Sequence, residues 1–558
     1  MLKSSLAATD KGLRAAIPRL RQSLDQLVRS AFWIPIATAG VYVLALAYQL
    51  PRLLQNYYHW RPDFVWAPLL ARDLASAGPG GIINVGDTPH YSTIWFLILT
   101  ERLPFSRQIW DFAPFIITLG GLALMAWAAR KVAGTWAGLM APAIGVAAGT
   151  AILATTLTEG MRSHTWFAVA ATSAYLVYLA TRPAGGRSST TIMVAAVPAG
   201  IFGSVALASD PLFAISGLAP LAGAATIGWL IFRNDRSRDL VLSAWITSIL
   251  AVGLALAIEA MMQAAGYRKT LIPAYNFVTL DQFLAATKGL LLDILTLTNG
   301  NFFGRPVGRG SIAALGMAVL TVGAVALPVL LLAPRLKDRD ALGAGRAPWL
   351  LYLLYWALVQ LATAAAYLLS PIPSAVGQSL TTRYIVPVFY GIAATVPIWA
   401  VTSNWKRAVA AGGTTVLCLL SLVGIRDHLK EEQLPIQPQA AGITAFLEKE
   451  GLERGYASYR IAHTFTYNAD LRQRAYPVFN CEFPSPELCP FSVNSRSVWY
   501  RPVEEERTFL IVDPPDFLSI VPPPTEVFGE PAKVRRFGEL SVLIYDYDIA
   551  SRFINPGE

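Results

Sequence analysis

The sequence predicts a multi-pass α-helical membrane protein with about eleven transmembrane helices and a C-terminal α/β domain outside the membrane. The 558 residues are 54% hydrophobic and only 15% charged, whereas soluble proteins carry about 25% charged residues. Long apolar runs recur up to residue 425, and the composition then becomes that of a soluble domain. We therefore divide the chain into an N-terminal segment 1–31, a membrane domain 32–425 and a tail 426–558.

A helix needs about 20 predominantly apolar residues to cross a bilayer. Eleven stretches approach this requirement. They are Phe32–Leu50, Ala113–Ala129, Trp136–Leu157, Thr165–Ala180, Thr191–Ser209, Leu212–Phe232, Leu240–Ala265, Ser311–Ala333, Trp349–Leu369, Tyr384–Val401 and Ala408–Ile425. An odd number of crossings places the two termini on opposite sides of the membrane.

The basic residues predict the orientation, because cytoplasmic loops are enriched in Lys and Arg. Alternate loops carry the pairs and clusters Arg130/Lys131, Arg182/Arg187, Arg233/Arg236/Arg238, Arg335/Lys337/Arg339/Arg346 and Lys406/Arg407. The short loops of the other set hold only Arg162 and Arg383. We therefore expect a cytoplasmic N-terminus, with loops 51–112 and 266–310 and the tail outside. The net charge of +9 comes largely from these clusters. We therefore interpret the basic residues as determinants of membrane topology and not as a nucleic-acid-binding surface.

The N-terminal segment 1–31 is basic and lacks the cleavage pattern of a signal peptide. Its apolar residues recur at helical spacing, at Leu13, Ile17, Leu20, Leu24 and Leu27. This pattern is typical of an amphipathic helix on the cytoplasmic membrane surface, and a disordered basic tail is the alternative. The high Ala, Gly and Arg usage and the low Lys usage suggest a GC-rich bacterium, so we expect the membrane to be a bacterial inner membrane.

The first long loop contains two amphipathic runs, Asp63–Leu74 and Ser92–Leu103, separated by a turn region rich in Gly and Pro. The loop is too polar and too often broken to cross a membrane. We predict that both runs form helices at the membrane surface. The second long loop contains another helical pattern, Leu280–Leu297, which we also expect at the surface.

The tail mixes helix and strand patterns, which suffices for a small independent α/β domain. A helix is predicted at Ala441–Gly451, and strands at Ser458–Phe465, Arg507–Val512 and Leu540–Tyr547. Cys481 and Cys489 could pair if the tail faces an oxidising compartment. Cys418 lies in an apolar run and is expected to be an inert packed thiol.

Charged residues at a membrane boundary are costly unless they are paired or used in function. Asp63 opens the first amphipathic run, so it is either a catalytic carboxylate or a helix N-cap. Asp73 is expected to be structural, paired with Arg72 or facing solvent. Glu159, Arg162 and His164 share one short turn, which is either a solvated loop or part of a cavity wall.

Three further groups are candidates. Asp210 ends a span and is either an N-cap or a site residue. Glu259 lies inside an apolar run and needs a partner, for which Arg268 or Lys269 is available. Arg383 stands at the outer end of a span, where it either extends toward water or binds a phosphate bidentately, and Arg268 and Lys269 could complete that phosphate pocket.

This arrangement resembles the GT-C superfamily of integral-membrane glycosyltransferases. The first span is followed by a loop with the two runs WRPDFVWAPLLARDL and YSTIWFLILTERLP, and Asp63 lies in that loop. The chain has about eleven spans in all, with Arg383, Tyr384 and Pro387 spaced as R-Y-x-x-P at the start of a late span, and an α/β domain closes the chain. The Asp-x-Asp or Asp-Glu pair of some branches is absent from the first loop.

The resemblance implies an inverting transfer of a sugar from a polyprenyl-phosphate donor to a glycan, lipid or protein acceptor. Asp63 would be the general base, and substrate contacts would come from Arg383, Tyr384, Arg268, Lys269, Glu159, His164 and Asp210. A monophosphate leaving group held by Arg and Lys does not require a metal, so we expect no cofactor.

Three alternatives remain at this stage. A lipid or glycan transporter would show broken spans or paired halves. A polysaccharide ligase or polymerase with diphosphate-linked donors would also use outer Arg residues. A non-catalytic assembly protein would tolerate the loss of Asp63.

Overall fold

The computed structural model describes residues 32–553, except 57, 79, 87, 149–159, 183–188, 271–277, 305, 338–346, 371–381, 429–435, 481–487 and 514–523. The predicted segment 1–31 therefore lies outside the described residues. The helices of the membrane domain and its loops are α1 (Trp33–Asn56), α2 (Pro62–Ala77), α3 (Tyr91–Thr100), α4 (Ser106–Ala133), α5 (Thr135–Val146), α6 (Gly160–Thr181), α7 (Ser189–Ser209), α8 (Ala219–Phe232), α9 (Asp235–Ala264), α10 (Leu280–Leu297), α11 (Arg309–Lys337), α12 (Ala347–Leu369), α13 (Val386–Ala400) and α14 (Asn404–His428).

The chain is a multi-pass membrane protein. Within the described residues, eight helices are long and apolar enough to cross a membrane, judged by length and composition, and three shorter helices are also apolar. Each of the eleven predicted spans falls on a helix, although part of the third lies in the undescribed stretch 149–159. The mainly helical membrane architecture is confirmed, while eleven crossings stay a prediction.

Local signals explain where several of these helices begin. The side chain of Asn234 accepts a hydrogen bond from the Ser237 backbone N–H, and the Ser237 hydroxyl accepts one from the Asn234 N–H. This capping box starts α9. A second capping box, formed by Thr279 and Gln282, starts α10, so α10 has the bounds predicted for the second loop. Pro62 starts α2 at a position where its missing N–H costs nothing.

The tail forms a separate sheet with helices. Its elements are α15 (Ile436–Glu450), β3 (Arg454–Ser458), α16 (Tyr459–Asn468), β4 (Arg474–Asn480), β5 (Leu488–Pro490), β6 (Ser495–Arg496), β7 (Thr508–Val512), α17 (Pro524–Phe528), β8 (Lys533–Phe537) and β9 (Leu540–Tyr545). Six strands pair in the order β5-β4-β3-β7-β9-β8. The strands β4, β3 and β7 are parallel, and the other pairs are antiparallel. The predicted α/β character of the tail is confirmed.

The predicted strand Ser458–Phe465 is wrong. The strand ends at Ser458, and helix α16 begins at Tyr459. The residues Ile461, Ala462 and Phe465 are all buried, which fits a helical face better than an alternating strand. The topology gives the physical reason, because β3 and β4 are parallel neighbours and a parallel pair needs a crossover connection, usually a helix.

A second, three-stranded sheet joins the two long loops to the tail. Strand β1 (Ile83–Val85) of the first loop pairs in parallel with β2 (Tyr267–Lys269) of the second loop. On its other side, β1 pairs antiparallel with β6 of the tail. The sheet could not be predicted from the sequence, because each of its strands has only two or three residues.

Asp73 near the end of α2 binds the tail rather than Arg72. Its carboxylate accepts hydrogen bonds from Arg496 and, at 2.9 Å, from the Trp499 indole N–H. The Arg496 guanidinium also donates to the carbonyls of Gly78 and Gly80, each at 2.7 Å. Arg496 is 1% exposed, so this ion pair fixes the C-terminal end of α2 to the tail.

We predict that Asp73→Ala lowers the stability of the folded protein by about 3 kcal/mol, because it leaves a buried guanidinium without its anion. The measurement is the thermal unfolding temperature of the full chain in detergent. The matched control is Asp546→Ala, which removes a carboxylate paired with Arg507 at 3.2 Å but 70% exposed, and exposed pairs contribute little. Equal unfolding temperatures for the two variants would contradict the structural role of Asp73.

Candidate active site

Asp63 lies in the first turn of α2 and is not its cap. The N-cap residue is Arg61, whose side chain makes no capping hydrogen bond, and Pro62 occupies the first helical position. A carboxylate in a first turn is favoured by the helix dipole. The side chain of Asp63 is 42% exposed, so a substrate has access to it.

Asp63 meets Arg383, the residue that the sequence analysis placed at the start of a late span. The distance from Asp63 Oδ2 to Arg383 Nη1 is 3.7 Å. This is longer than a direct N–H···O hydrogen bond of about 2.7–3.2 Å. Arg383 lies in a 3₁₀ turn, Thr382–Ile385, directly before α13. The turn therefore projects the guanidinium toward the N-terminal end of α2.

The ring of Tyr384 supports Arg383. The Arg383 guanidinium lies 5.2 Å from the ring centroid and donates a hydrogen bond of 3.3 Å to the Tyr384 hydroxyl. A second guanidinium, that of Arg162, lies 4.9 Å from the same ring. The aromatic ring attracts both cations, and it keeps the guanidinium of Arg383 beside Asp63.

Asp210 is joined to this site through Arg162 but is itself fully used. Its Oδ2 accepts hydrogen bonds from Arg162 at 3.0 Å and from Thr165 at 2.7 Å, and its Oδ1 accepts one from the Leu212 N–H at 3.1 Å. Asp210 is 2% exposed. A general base must reach the proton it removes, so Asp63 is the better placed carboxylate of the two.

Two residues that the sequence analysis did not select also belong to the site. The Tyr459 hydroxyl of the tail donates a hydrogen bond of 3.1 Å to Asp63 Oδ1. Asp293 of α10 is 2% exposed and accepts hydrogen bonds from Thr382, at 3.0 Å, and from Tyr367, at 2.7 Å. Asp293 could have been noticed as a carboxylate within the apolar run LLLDIL. Tyr459 was not selected, because its segment was interpreted as a strand.

The structure brings Asp63, Arg383 and Tyr384 together and places other candidates elsewhere. Lys269 pairs with Glu259, as one of the two predicted alternatives, and Arg268 lies exposed on β2 opposite Asn84. His164 lines a cavity of about 60 Å³. The same cavity is lined by His59 and Asp111, whose Nε2 and Oδ1 atoms are 3.1 Å apart. Glu159 lies outside the described residues.

The structure describes two of the three cysteines. Cys489 is disulfide-bonded, and Cys418 is a buried free thiol. Cys481 lies outside the described residues. Among the residues that the structure describes, no group of three or more His, Cys, Asp or Glu side chains is arranged to hold a metal ion.

No family model matches the chain, and no curated protein matches it. The chain is similar in fold to the crystal structure of ArnT from Cupriavidus metallidurans bound to undecaprenyl phosphate, with 13% identity, a TM-score of 0.48 and coverage of 90% of this chain and 97% of that one. It is also similar to the Archaeoglobus fulgidus oligosaccharyltransferase complex with zinc and sulfate, with 12% identity, a TM-score of 0.42 and coverage of 78% and 62%.

A third similar structure is the oligosaccharyltransferase AglB from Archaeoglobus fulgidus with an inhibitory peptide and a dolichol phosphate. It has 11% identity, a TM-score of 0.40 and coverage of 79% of this chain and 64% of that one. The chain thus spans less than two thirds of the length of these two oligosaccharyltransferase structures. All three TM-scores lie below 0.5, so these similarities concern the fold and assign no activity to the chain.

We predict that Asp210→Ala lowers the free energy of unfolding by about 3–5 kcal/mol, because Arg162 then becomes a buried charge without a partner. Thr165→Val, which removes only one hydroxyl from the same carboxylate, is the graded control and should cost about 1 kcal/mol. Both values follow from unfolding of the full chain in detergent. An Asp210→Ala protein as stable as Thr165→Val would contradict the buried ion pair.

Proposed function

We propose that this protein is a membrane glycosyltransferase of the GT-C type, which moves a sugar from a polyprenyl-phosphate donor to a hydroxyl group of an extracytoplasmic acceptor. The acceptor would be a cell-envelope glycan, lipid or protein. The observation that carries the proposal is the 3.7 Å pair of Asp63 and Arg383. It sets a base and a phosphate-binding cation side by side, between the membrane domain and its first loop.

The 3.7 Å distance between Asp63 and Arg383 would allow the acceptor and the donor to bind next to each other at these side chains. The gap exceeds a direct hydrogen bond of about 2.7–3.2 Å, and the Asp63 side chain is 42% exposed, so its Oδ2 can accept a proton from a bound molecule. A guanidinium matches the geometry of phosphate oxygens and stays charged at any physiological pH. The acceptor hydroxyl would approach Oδ2 while the donor phosphate binds Arg383.

The reaction is a single displacement. Asp63 Oδ2 removes the proton of the acceptor hydroxyl, and the hydroxyl oxygen forms a bond to the anomeric carbon of the donor sugar. The bond from that carbon to the phosphate oxygen breaks, and its electron pair leaves with the polyprenyl phosphate. Attack opposite the leaving group inverts the anomeric configuration. Arg383 stabilises the negative charge that grows on the phosphate.

The surrounding contacts keep Arg383 in place for this role. Thr382, its neighbour in the 3₁₀ turn, is bound by the buried carboxylate of Asp293. The ring and the hydroxyl of Tyr384 also contact the guanidinium. Such preorganised charge is effective because it requires no rearrangement during the reaction. With this cation supplying the positive charge, we propose a reaction that needs no metal ion.

We further propose the orientation that the basic loops indicate. The N-terminus would be cytoplasmic, and the two long loops and the tail would face the periplasm of a bacterial inner membrane. Lipid-linked donors embedded in the outer leaflet would then reach Arg383 from the bilayer, and the acceptor would arrive from the periplasmic side. The exposed side chain of Asp63 fits this second route.

We predict that Asp63→Asn lowers the rate of sugar transfer by about 10²–10⁴-fold, the usual contribution of a general base. Arg383→Ala should lower it by about 10²–10³-fold through the loss of charge stabilisation at the phosphate. The assay uses purified full chain in detergent with a panel of radiolabelled undecaprenyl-phosphate sugars and a membrane-lipid extract as the acceptor source. Undecaprenyl phosphate is the first carrier to try because ArnT was crystallised with it.

The controls are Asp546→Asn and Arg507→Ala, which alter an exposed ion pair of the tail and should leave transfer unchanged. Full transfer activity in both Asp63→Asn and Arg383→Ala would refute the assignment. Transfer from undecaprenyl-diphosphate sugars alone would favour a polysaccharide ligase or polymerase instead. Activity that survives a chelator supports the metal-independent mechanism.

A further inference from the structure

The C-terminal domain reaches the proposed base through one side chain. Tyr459 is the first residue of α16, and its hydroxyl lies 3.1 Å from Asp63 Oδ1. The two residues are 396 positions apart in the sequence. The contact leaves Oδ2, the other oxygen of the carboxylate, on the side of Arg383. Asp63 is therefore approached from the tail on one oxygen and from the membrane domain on the other.

Neighbouring groups clamp Tyr459 on several sides. The ring of Phe491 stacks on it with centroids 4.6 Å apart and planes at 20°. The ring of His463 meets it edge-on at 5.1 Å and 87°. The side-chain amide of Asn494 donates a hydrogen bond of 3.4 Å to its hydroxyl oxygen. With two rings and one donor around it, the hydroxyl has little freedom to leave Asp63.

The charge states favour the same arrangement. Burial, followed by the nearby negative charge of Asp63, raises the pKa of Tyr459 well above its ordinary value of 10.0. Tyr459 thus stays protonated at neutral pH and serves as a donor to the carboxylate. Burial also lowers the pKa of His463 to about 3, so this neighbour is neutral at physiological pH and adds no competing charge.

Asn494 lies beside the strand that joins the tail to the first loop. Asn494 directly precedes β6, which pairs with β1 of the first loop. The next residues of that strand are Ser495 and Arg496, and Arg496 is fixed by Asp73 at the far end of α2. Helix α2 is consequently held by the tail at both ends, with Tyr459 at Asp63 and Arg496 at Asp73.

We propose that Tyr459 is a positioning residue of the active site, which holds the Asp63 carboxylate so that only Oδ2 faces the acceptor hydroxyl and Arg383. The C-terminal domain is then a structural part of the active site and not merely a binding appendage. This inference rests on the proposed function, because it assumes that Asp63 is the base. Tyr459 itself transfers no proton in the reaction.

We predict that Tyr459→Phe lowers kcat by about 10- to 100-fold, the range that one hydrogen bond to a charged group supplies, while KM for the undecaprenyl-phosphate sugar stays within twofold. The matched control is Tyr456→Phe. Tyr456 is also a tail residue, and its hydroxyl donates to the Asp548 carboxylate at the same distance of 3.1 Å, but it lies in the domain interior. The control should keep the kcat of the wild type.

A double-mutant cycle separates positioning from general stability. In the Asp63→Asn background, Tyr459→Phe should have no further effect on the residual rate, because the two residues act as one unit. A purely structural tyrosine would lower the rate by the same factor in both backgrounds, and that result would overturn the inference. Equal losses of kcat in Tyr459→Phe and Tyr456→Phe would overturn it as well.

If Tyr459→Phe does not fold, Asn494→Gly provides a second route. Asn494 has a φ of 52°, which glycine adopts without strain, so the variant removes only the amide that holds the tyrosine hydroxyl. We expect a smaller loss of kcat in the same direction, and unchanged kcat would overturn the inference. Failure of the proposed function looks different, since Asp63→Asn would then retain full transfer activity.

Discussion

Helix α2 carries the proposed base, and the ion pair of Asp73 with the buried Arg496 fixes this helix to the C-terminal domain. The two side chains are 423 positions apart, so local sequence could not order them. The Arg496 guanidinium also donates hydrogen bonds to the carbonyls of Gly78 and Gly80, which follow the last turn of α2. A buried charge is tolerated when it is paired and hydrogen-bonded, and Asp73 and the two carbonyls supply these contacts to Arg496 at the end of the helix opposite to Asp63.

The three-stranded sheet extends the same constraint to the second loop. Strands β1, β2 and β6 are short, and isolated pairs of such length have little stability in water. Here they are supported by packing, since Ile83, Val85 and Tyr267 are buried in one apolar cluster with Trp66 of α2 and Trp499 of the tail. Burial of large aromatic side chains supplies the stability that the few backbone hydrogen bonds do not. The two loops and the tail therefore share one apolar core.

The sequence predicted what depends on local pattern. Apolar runs located the membrane helices, and the position of Arg383 at the end of a span made it a candidate. Asp63 was a candidate because it opens the amphipathic run of the first loop, and the family resemblance made it the preferred base. The contacts of Tyr459 were not predicted, because its segment was interpreted as a strand, and only the parallel pairing of β3 with β4 requires a helix there. Asp73 was correctly taken as structural, but its partner Arg496 came from a distant segment. Long-range partners depend on packing, which periodicity does not encode.

The carboxylates of Asp210 and Asp63 differ in solvent exposure, and this difference determines what each can do. Asp210 is enclosed, with its oxygens committed to Arg162, Thr165 and a backbone N–H, and it neutralises a guanidinium that lies against one side of the tyrosine ring. Asp63 is accessible, and its Oδ2 stands 3.7 Å from the guanidinium of Arg383. An enclosed ion pair resists change because removing either partner leaves an uncompensated charge, whereas the 42% exposed side chain of Asp63 is accessible to other molecules. Aspartate and arginine thus form a rigid support in one place and an accessible site in the other, and both guanidinium groups contact the ring of Tyr384.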